Sequence, residues 1–104
     1  MSEQRNARMS WERHQTVGPV TALYVAPPLK NDVINRLVLY AGIGPDVITY
    51  DICSGTRLAH IETLPTGVVH GICESLELSQ DAKSRLIVAF GQKQLALRHE
   101  MLVR

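Results

Sequence analysis

The side chains best suited to acid–base, nucleophilic or metal chemistry are few and scattered along this chain. Four histidines, His14, His60, His70 and His99, have none of the short mutual spacings of a metal motif. His70 stands in an apolar run ahead of Gly71 and reads as a hydrogen-bonded structural histidine. Cys53 and Cys73 are isolated thiols, without a CxxC or a Cys–His spacing. Each lies on or beside an apolar run, where free cysteine behaves as a small hydrophobe. A nucleophile would need a neighbouring base and a lowered pKa. A single disulfide between them is conceivable, but small secreted domains usually carry several bridges.

Asp46 and Asp51 bracket one apolar run. In an extended chain, facing alternates with period two, so residues five apart point to opposite faces and do not form an acid–base pair. Asp46 is expected to accept backbone N–H groups in the preceding turn, as aspartate commonly does. Gly42-Ile43-Gly44 lacks the third glycine and following helix of a dinucleotide fingerprint, so it reads as a turn. Arg36 and Arg85 recur ahead of similar apolar blocks and read as solvated residues at the start of strands. No catalytic, cofactor-binding or metal-binding residue is assigned, and no cofactor or small-molecule ligand is expected.

The 104 residues are 45% hydrophobic and 20% charged, a balance that argues against a disordered chain. Eleven basic residues against ten acidic ones leave a formal charge of +1, without the basic surplus of a protein that binds nucleic acid by its own field. Aromatic residues are only 5%, too few for a base-stacking platform. Met1 to Gln15 is polar and mixed in charge, unlike a signal-peptide core. No apolar run approaches the roughly 18 residues that cross a bilayer. Together with the sparse cysteines, this points to a cytoplasmic protein.

Residues 1–16 read as a polar tail in which Trp11 is a partly exposed aromatic rather than a partner anchor, though it is the one feature there that could dock. From Val17 onward, short apolar runs alternate with Gly, Pro, Asn and Asp, the pattern of strands and turns. The runs are Val20–Ala26, Leu37–Ala41, Val47–Ile52, Leu58–Ile61, Val68–Cys73, Leu86–Phe90 and Leu95–His99. Asn31-Asp32 ahead of Val33, Ile34, Leu37 and Val38 also fits a capped helix, and Ser79 could start another running into Leu86. Periodicity alone cannot decide runs this short.

An internal repeat favours strands. At an offset of 49 residues, Gly18 meets Gly67, Val20 meets Val69, and Arg36-Leu37-Val38-Leu39-Tyr40-Ala41-Gly42 meets Arg85-Leu86-Ile87-Val88-Ala89-Phe90-Gly91. After the loss of one residue, Asp46–Tyr50 meets Gln94–Arg98. A four-stranded unit repeating every 40 to 50 residues or so is the mark of a β-propeller blade. Tyr50-Asp51 occupies the place of the Trp-Asp pair in WD repeats. The expected fold is therefore all-β: a partial, WD40-like β-propeller of about one and three-quarter four-stranded antiparallel blades. Blade one covers about 17–66 and a partial blade two about 67–104. The long loops Pro27–Asn35 and Glu77–Ser84 are expected at a rim.

Val17-Gly18-Pro19-Val20-Thr21-Ala22-Leu23 and Ala41-Gly42-Ile43-Gly44-Pro45-Asp46-Val47-Ile48-Thr49-Tyr50 resemble the start of the WD repeat-containing protein 6 family. His70-Gly71-Ile72 and Ile87-Val88-Ala89-Phe90-Gly91-Gln92-Lys93-Gln94-Leu95 follow in the same order, so the resemblance spans about residues 17 to 97. It implies a cytoplasmic, non-catalytic WD-propeller subunit whose protein partner is a tRNA 2′-O-ribose methyltransferase. The pair methylates the wobble nucleotide of the anticodon loop, so tRNA would be met through the complex. The alternative is a general WD-type protein-interaction module unrelated to tRNA. The family carries many more blades than this chain supplies, so the chain reads as incomplete. Expressed alone, it is expected to be poorly soluble or to associate through Val68–Cys73 and Leu86–His99, since unpaired edges recruit other chains. A monodisperse monomer with a sharp cooperative melt would contradict that expectation.

Overall fold

A computed structural model describes residues 13–28, 36–75 and 84–101. Seven strands follow one another: β1 (Val20–Ala26), β2 (Val38–Ile43), β3 (Asp46–Asp51), β4 (Thr56–Glu62), β5 (Gly71–Glu74), β6 (Ser84–Phe90) and β7 (Leu95–Met101). They form two antiparallel sheets, β1-β2-β3-β4 and β5-β6-β7, in which every strand pairs with its neighbour in sequence. Both stretches that admitted a helical reading contribute strands, β2 and β6, and the described residues contain no helix. No helix among them is therefore long and apolar enough to cross a membrane. The chain is all-β. Trp11 and most of the two long loops lie outside the described residues.

Local chemistry explains each hairpin. β2 and β3 meet through the two-residue turn Gly44-Pro45, with Ile43 opposite Asp46. Gly44 takes a φ of +59°, the left-handed backbone that short hairpin turns require. At the next turn Asp51 Oδ1 accepts the amide N–H of Cys53 at 3.0 Å, and Gly55 closes the turn with a φ of +75° and a hydrogen bond from its N–H to Asp51 O. The turn-capping aspartate is thus Asp51. Asp46, expected in that role, instead meets His60 across β3 and β4, with Oδ2 2.8 Å from Nε2. His60 donates in the tautomer that protonates Nε2.

The register sorts β2 and β3 into two apolar faces. Val38, Tyr40 and Val47 look inward with Ala26, Ile72, Ile87 and Ala89 to form the core between the sheets. Ala41, Ile43, Ile48 and Tyr50 form a second buried cluster on the outer face of the first sheet. Residues 13–18 lie against that outer face. The His14 ring stands edge-on to Tyr50 at 5.0 Å, and Gly18 faces Ile43 Cγ2.

The sheets are tied by residues 63–70. Leu64 N donates to Pro45 O at 2.8 Å and Val69 N to Gly44 O at 2.7 Å. Thr21 Oγ1 donates to Val69 O at 2.7 Å, and His70 N donates to Phe90 O at 2.8 Å. Val69 is wholly buried, pressed on Gly42 so closely that a Cβ there would lie 2.9 Å from Val69 Cγ1. Gly91, the counterpart of Gly42 in the repeat, meets the same connector, with Val68 O 2.9 Å from where a Cβ would be.

These contacts predict unequal costs for adding one methyl. Gly42→Ala should destabilise by about 1–3 kcal/mol, because Val69 is enclosed and has nowhere to move. Gly71→Ala also meets a neighbour, the Phe90 ring, but Phe90 is half-exposed and can swing outward, so a smaller loss is expected. Urea unfolding of the two variants checks the order.

Candidate functional site

The two sheets stand closest where β5 lies beside β1 and β2. Away from that line a cleft of about 160 Å³ opens between them. Its floor is Tyr40, Val47, Ile87, Ala89 and Ala96, and Glu62 and Arg98 stand among the residues at its mouth. The floor is apolar because β2, β3, β6 and β7 each alternate, with one side chain in two turned toward the other sheet.

One polar assembly bridges the sheets. The Tyr24 hydroxyl on β1 donates to Glu74 Oε1 on β5 at 2.9 Å. Arg85 on β6 donates from Nη1 to Pro27 O at 2.8 Å and stands 3.9 Å from Glu74 Oε1. The Arg85 side chain is only 6% exposed, so it is not the solvated residue expected from its place at the start of a strand. A carbonyl 58 residues away in sequence holds it inside. Burial, then the hydrogen bond to Glu74 and that carboxylate's charge, push the Tyr24 phenol above its ordinary pKa, and Arg85 partly offsets this. This assembly is structural in character, since its acid, base and cation already satisfy one another.

The remaining candidates separate. His60 is exposed beside Asp46, His14 lies on Tyr50, and His70 is exposed with only its backbone amide engaged in the sheet connection. The His70 side chain, read from sequence as a hydrogen-bonded structural histidine, is thus exposed next to buried Val69. His99 lies on β7, where only its backbone is described. Cys53 and Cys73 are both free and exposed, one in the β3–β4 turn and one on the outer face of the second sheet, so neither serves as a buried hydrophobe. Asp46 and Asp51 sit at opposite ends of β3 with separate partners. Gly42-Ile43-Gly44 ends β2 and enters its hairpin turn. Arg36 lies just ahead of β2, partly buried. Among the described residues no group of three or more His, Cys, Asp and Glu is placed to hold a metal ion.

What the structure presents instead is apolar surface. On the first sheet, Val20, Leu23 and Val25 of β1 face outward, Leu23 63% exposed. On the second, Phe90, Leu95 and Leu97 share the outer face with Cys73, and Leu95 and Leu97 are 65% and 60% exposed. An antiparallel sheet bathed on one side normally alternates apolar with polar residues. β1 and the β6–β7 hairpin depart from this, and contiguous apolar patches mark surfaces that meet something else. Sequence reasoning had located the second patch within Leu86–His99 but not the first.

Comparison with protein-family models, with curated proteins and with solved structures gives no match for this chain.

The bridging assembly sets two measurable outcomes. Arg85→Met should cost about 1–3 kcal/mol, the usual worth of a charged hydrogen bond lost from a buried site. Below pH about 10, Tyr24 is neutral in both folded and unfolded chains, and its contribution is fully present. As pH rises further the unfolded chain ionises first, so stability falls. Tyr24→Phe should make the stability curve flatter above pH 10, read from urea midpoints against pH.

Proposed function

We propose that this chain is a non-catalytic WD-type scaffold, part of a β-propeller, which acts by holding partners rather than by chemistry. The observation that carries the reading is the arrangement of the sheets. Each is a meander of consecutive antiparallel strands, and the two approach along their first strands, β1 and β5, while a cleft opens farther out. Blades in a propeller are meanders of this kind set around an axis lined by their first strands. The 49-residue repeat adds support, because its paired glycines, Gly42 and Gly91, both receive the connector between the sheets.

The apolar outer faces fit the same reading. A blade in a propeller is covered on both sides by its neighbours, and both sheets here keep apolar residues on their outer sides. On this reading the second sheet has a place beside β7 for a fourth strand, as β4 lies beside β3.

The partner follows from the resemblance of residues 17 to 97 to the WD repeat-containing protein 6 family. In our reading the scaffold supports 2′-O-ribose methylation of the tRNA wobble nucleotide by a partner methyltransferase in the cytoplasm. The near-zero net charge is compatible with that division of labour, in which tRNA is engaged through the complex rather than by this chain's own field.

Affinity capture of the natural protein from cytoplasmic extract tests this directly. Recovery of a tRNA 2′-O-ribose methyltransferase, with loss of wobble ribose methylation when the protein is depleted, is the expected outcome. Recovery of other proteins only, with methylation intact, would favour a WD interaction module unrelated to tRNA.

A further inference from the structure

The two sheets meet front to back. The β2–β3 hairpin turns at Gly44-Pro45, and the β6–β7 hairpin turns at Gln92-Lys93, where the Gly91 N–H donates to Gln94 O at 2.9 Å. Matching these turns shifts β2 and β6 by one residue from the 49-residue sequence offset. It sets Tyr40 with Val88 and Val47 with Leu95, and Leu39 with Ile87 and Ala41 with Ala89. Tyr40 and Val47 face inward, whereas Val88 and Leu95 face outward. Leu39 and Ala41 face outward, whereas Ile87 and Ala89 face inward. The outer face of the second sheet is therefore the counterpart of the first sheet's inner face. Equally, the outer face of the first sheet is the counterpart of the face by which the second sheet packs.

The uncovered residues fall where such faces pack. Leu23 pairs with Ala41 on β2 as Ile72 pairs with Ala89 on β6, so Leu23 is the counterpart of Ile72. Ile72 is 8% exposed in the shared core, and Leu23 is 63% exposed. Residues 13–18 cover the rest of the first sheet's outer face as residues 62–68 cover the second sheet's inner face. His14 lies on Tyr50, the counterpart of Arg98, which stands with Glu62 at the mouth of the cleft. Gly18 faces Ile43, the counterpart of Gly91, on which Leu64 and Val68 close. The part left bare is β1, the strand along which the two sheets of one chain stand closest. A stack of repeats ends where a polar outer face caps it. Neither β1 nor the Phe90, Leu95 and Leu97 patch is such a face.

We propose that copies of this chain associate head to tail, the outer face of the second sheet of one copy seated on the outer face of the first sheet of the next. Leu23 then lies beside Val88, as Ile72 shares a cluster with Tyr40. A second copy is the occupant because both halves of the contact are on this chain, each the counterpart of a surface that already packs within it. Neither patch carries a charge that docking would strip of water. The new contact differs from the internal one at Phe90, which stands where Gly42 does and has its ring folded over Gly71. The contact joins two different surfaces, so it is heterologous and builds a ring or an open chain of copies. It rests on the front-to-back stacking that the propeller reading also uses, and not on the tRNA partner.

Complementation between two variants tests the geometry. Sedimentation equilibrium of the unaltered chain over a concentration series should give at least twice the 11.6 kDa of one copy. Leu23→Lys and Leu97→Lys, both at exposed positions, should each fall to the mass of one copy with unchanged far-ultraviolet circular dichroism. Mixed in equal amounts they should form a pair of twice that mass, because each keeps the face that the other has lost. Ile52→Lys, in the β3–β4 turn and on neither face, should assemble as the unaltered chain does. A single-copy mass for the unaltered chain would overturn the proposal, and a chain that stays single yet captures the methyltransferase would overturn this proposal alone. Assembly abolished by Leu97→Lys but untouched by Leu23→Lys would mean that the second sheet pairs with itself, and would overturn it equally. So would variants that remain single when mixed.

Discussion

Everything else in this fold depends on the contact between Val69 and Gly42. Val69 is the only link in the connector that is wholly buried and also bonds the first sheet through both backbone groups, its amide to Gly44 O and its carbonyl to Thr21 Oγ1. Its side chain fits because position 42 has no Cβ. One residue later the His70 amide bonds Phe90 O and starts the second sheet. The angle between the sheets is set within this short stretch, and the shared core of Tyr40, Ile72, Ile87 and Ala89 closes around it. Burial of such apolar area is the dominant favourable term in a small domain.

From that junction the cleft and the bridging contacts follow. Holding β5 near β1 leaves the far strands apart and creates the cleft with Glu62 and Arg98 at its mouth. It also brings Tyr24, Glu74 and Arg85 together, where a buried guanidinium is tolerable only because Pro27 O and Glu74 stand beside it. Tyr24, Glu74 and Arg85 thereby help to fix the relation of the two sheets, while apolar residues of β1, β6 and β7 face outward.

The strands were legible in the sequence and the contacts between sheets were not. All seven apolar runs became strands, and Val20–Ala26 kept its bounds, because alternating β-branched residues between turn formers are a local signal. The second run grew from Leu37–Ala41 to Val38–Ile43 because the turn needs only Gly44 and Pro45. The fifth shrank because Val68–His70 leave the strand to bond residues of both sheets. That demand comes from the first sheet and has no local signature. Arg85 was misplaced in solvent for the same reason, its acceptor lying on the far side of a long loop. The turn role expected of Asp46 falls to Asp51, because register places Asp46 beside His60 across the strands. Cys73 reads as a small hydrophobe because the run it occupies is apolar, yet alternation beside buried Ile72 turns it outward.

Native-state hydrogen exchange of the Val69 and Leu64 amides tests the central claim, that the connector unites two sheets into one cooperative body. Both amides should exchange as slowly as the core amides of β2 and β6, and all should converge on a single opening free energy as denaturant is added. Fast exchange at Val69 and Leu64 while β2 and β6 stay protected would show two sheets that open independently, and would contradict this account.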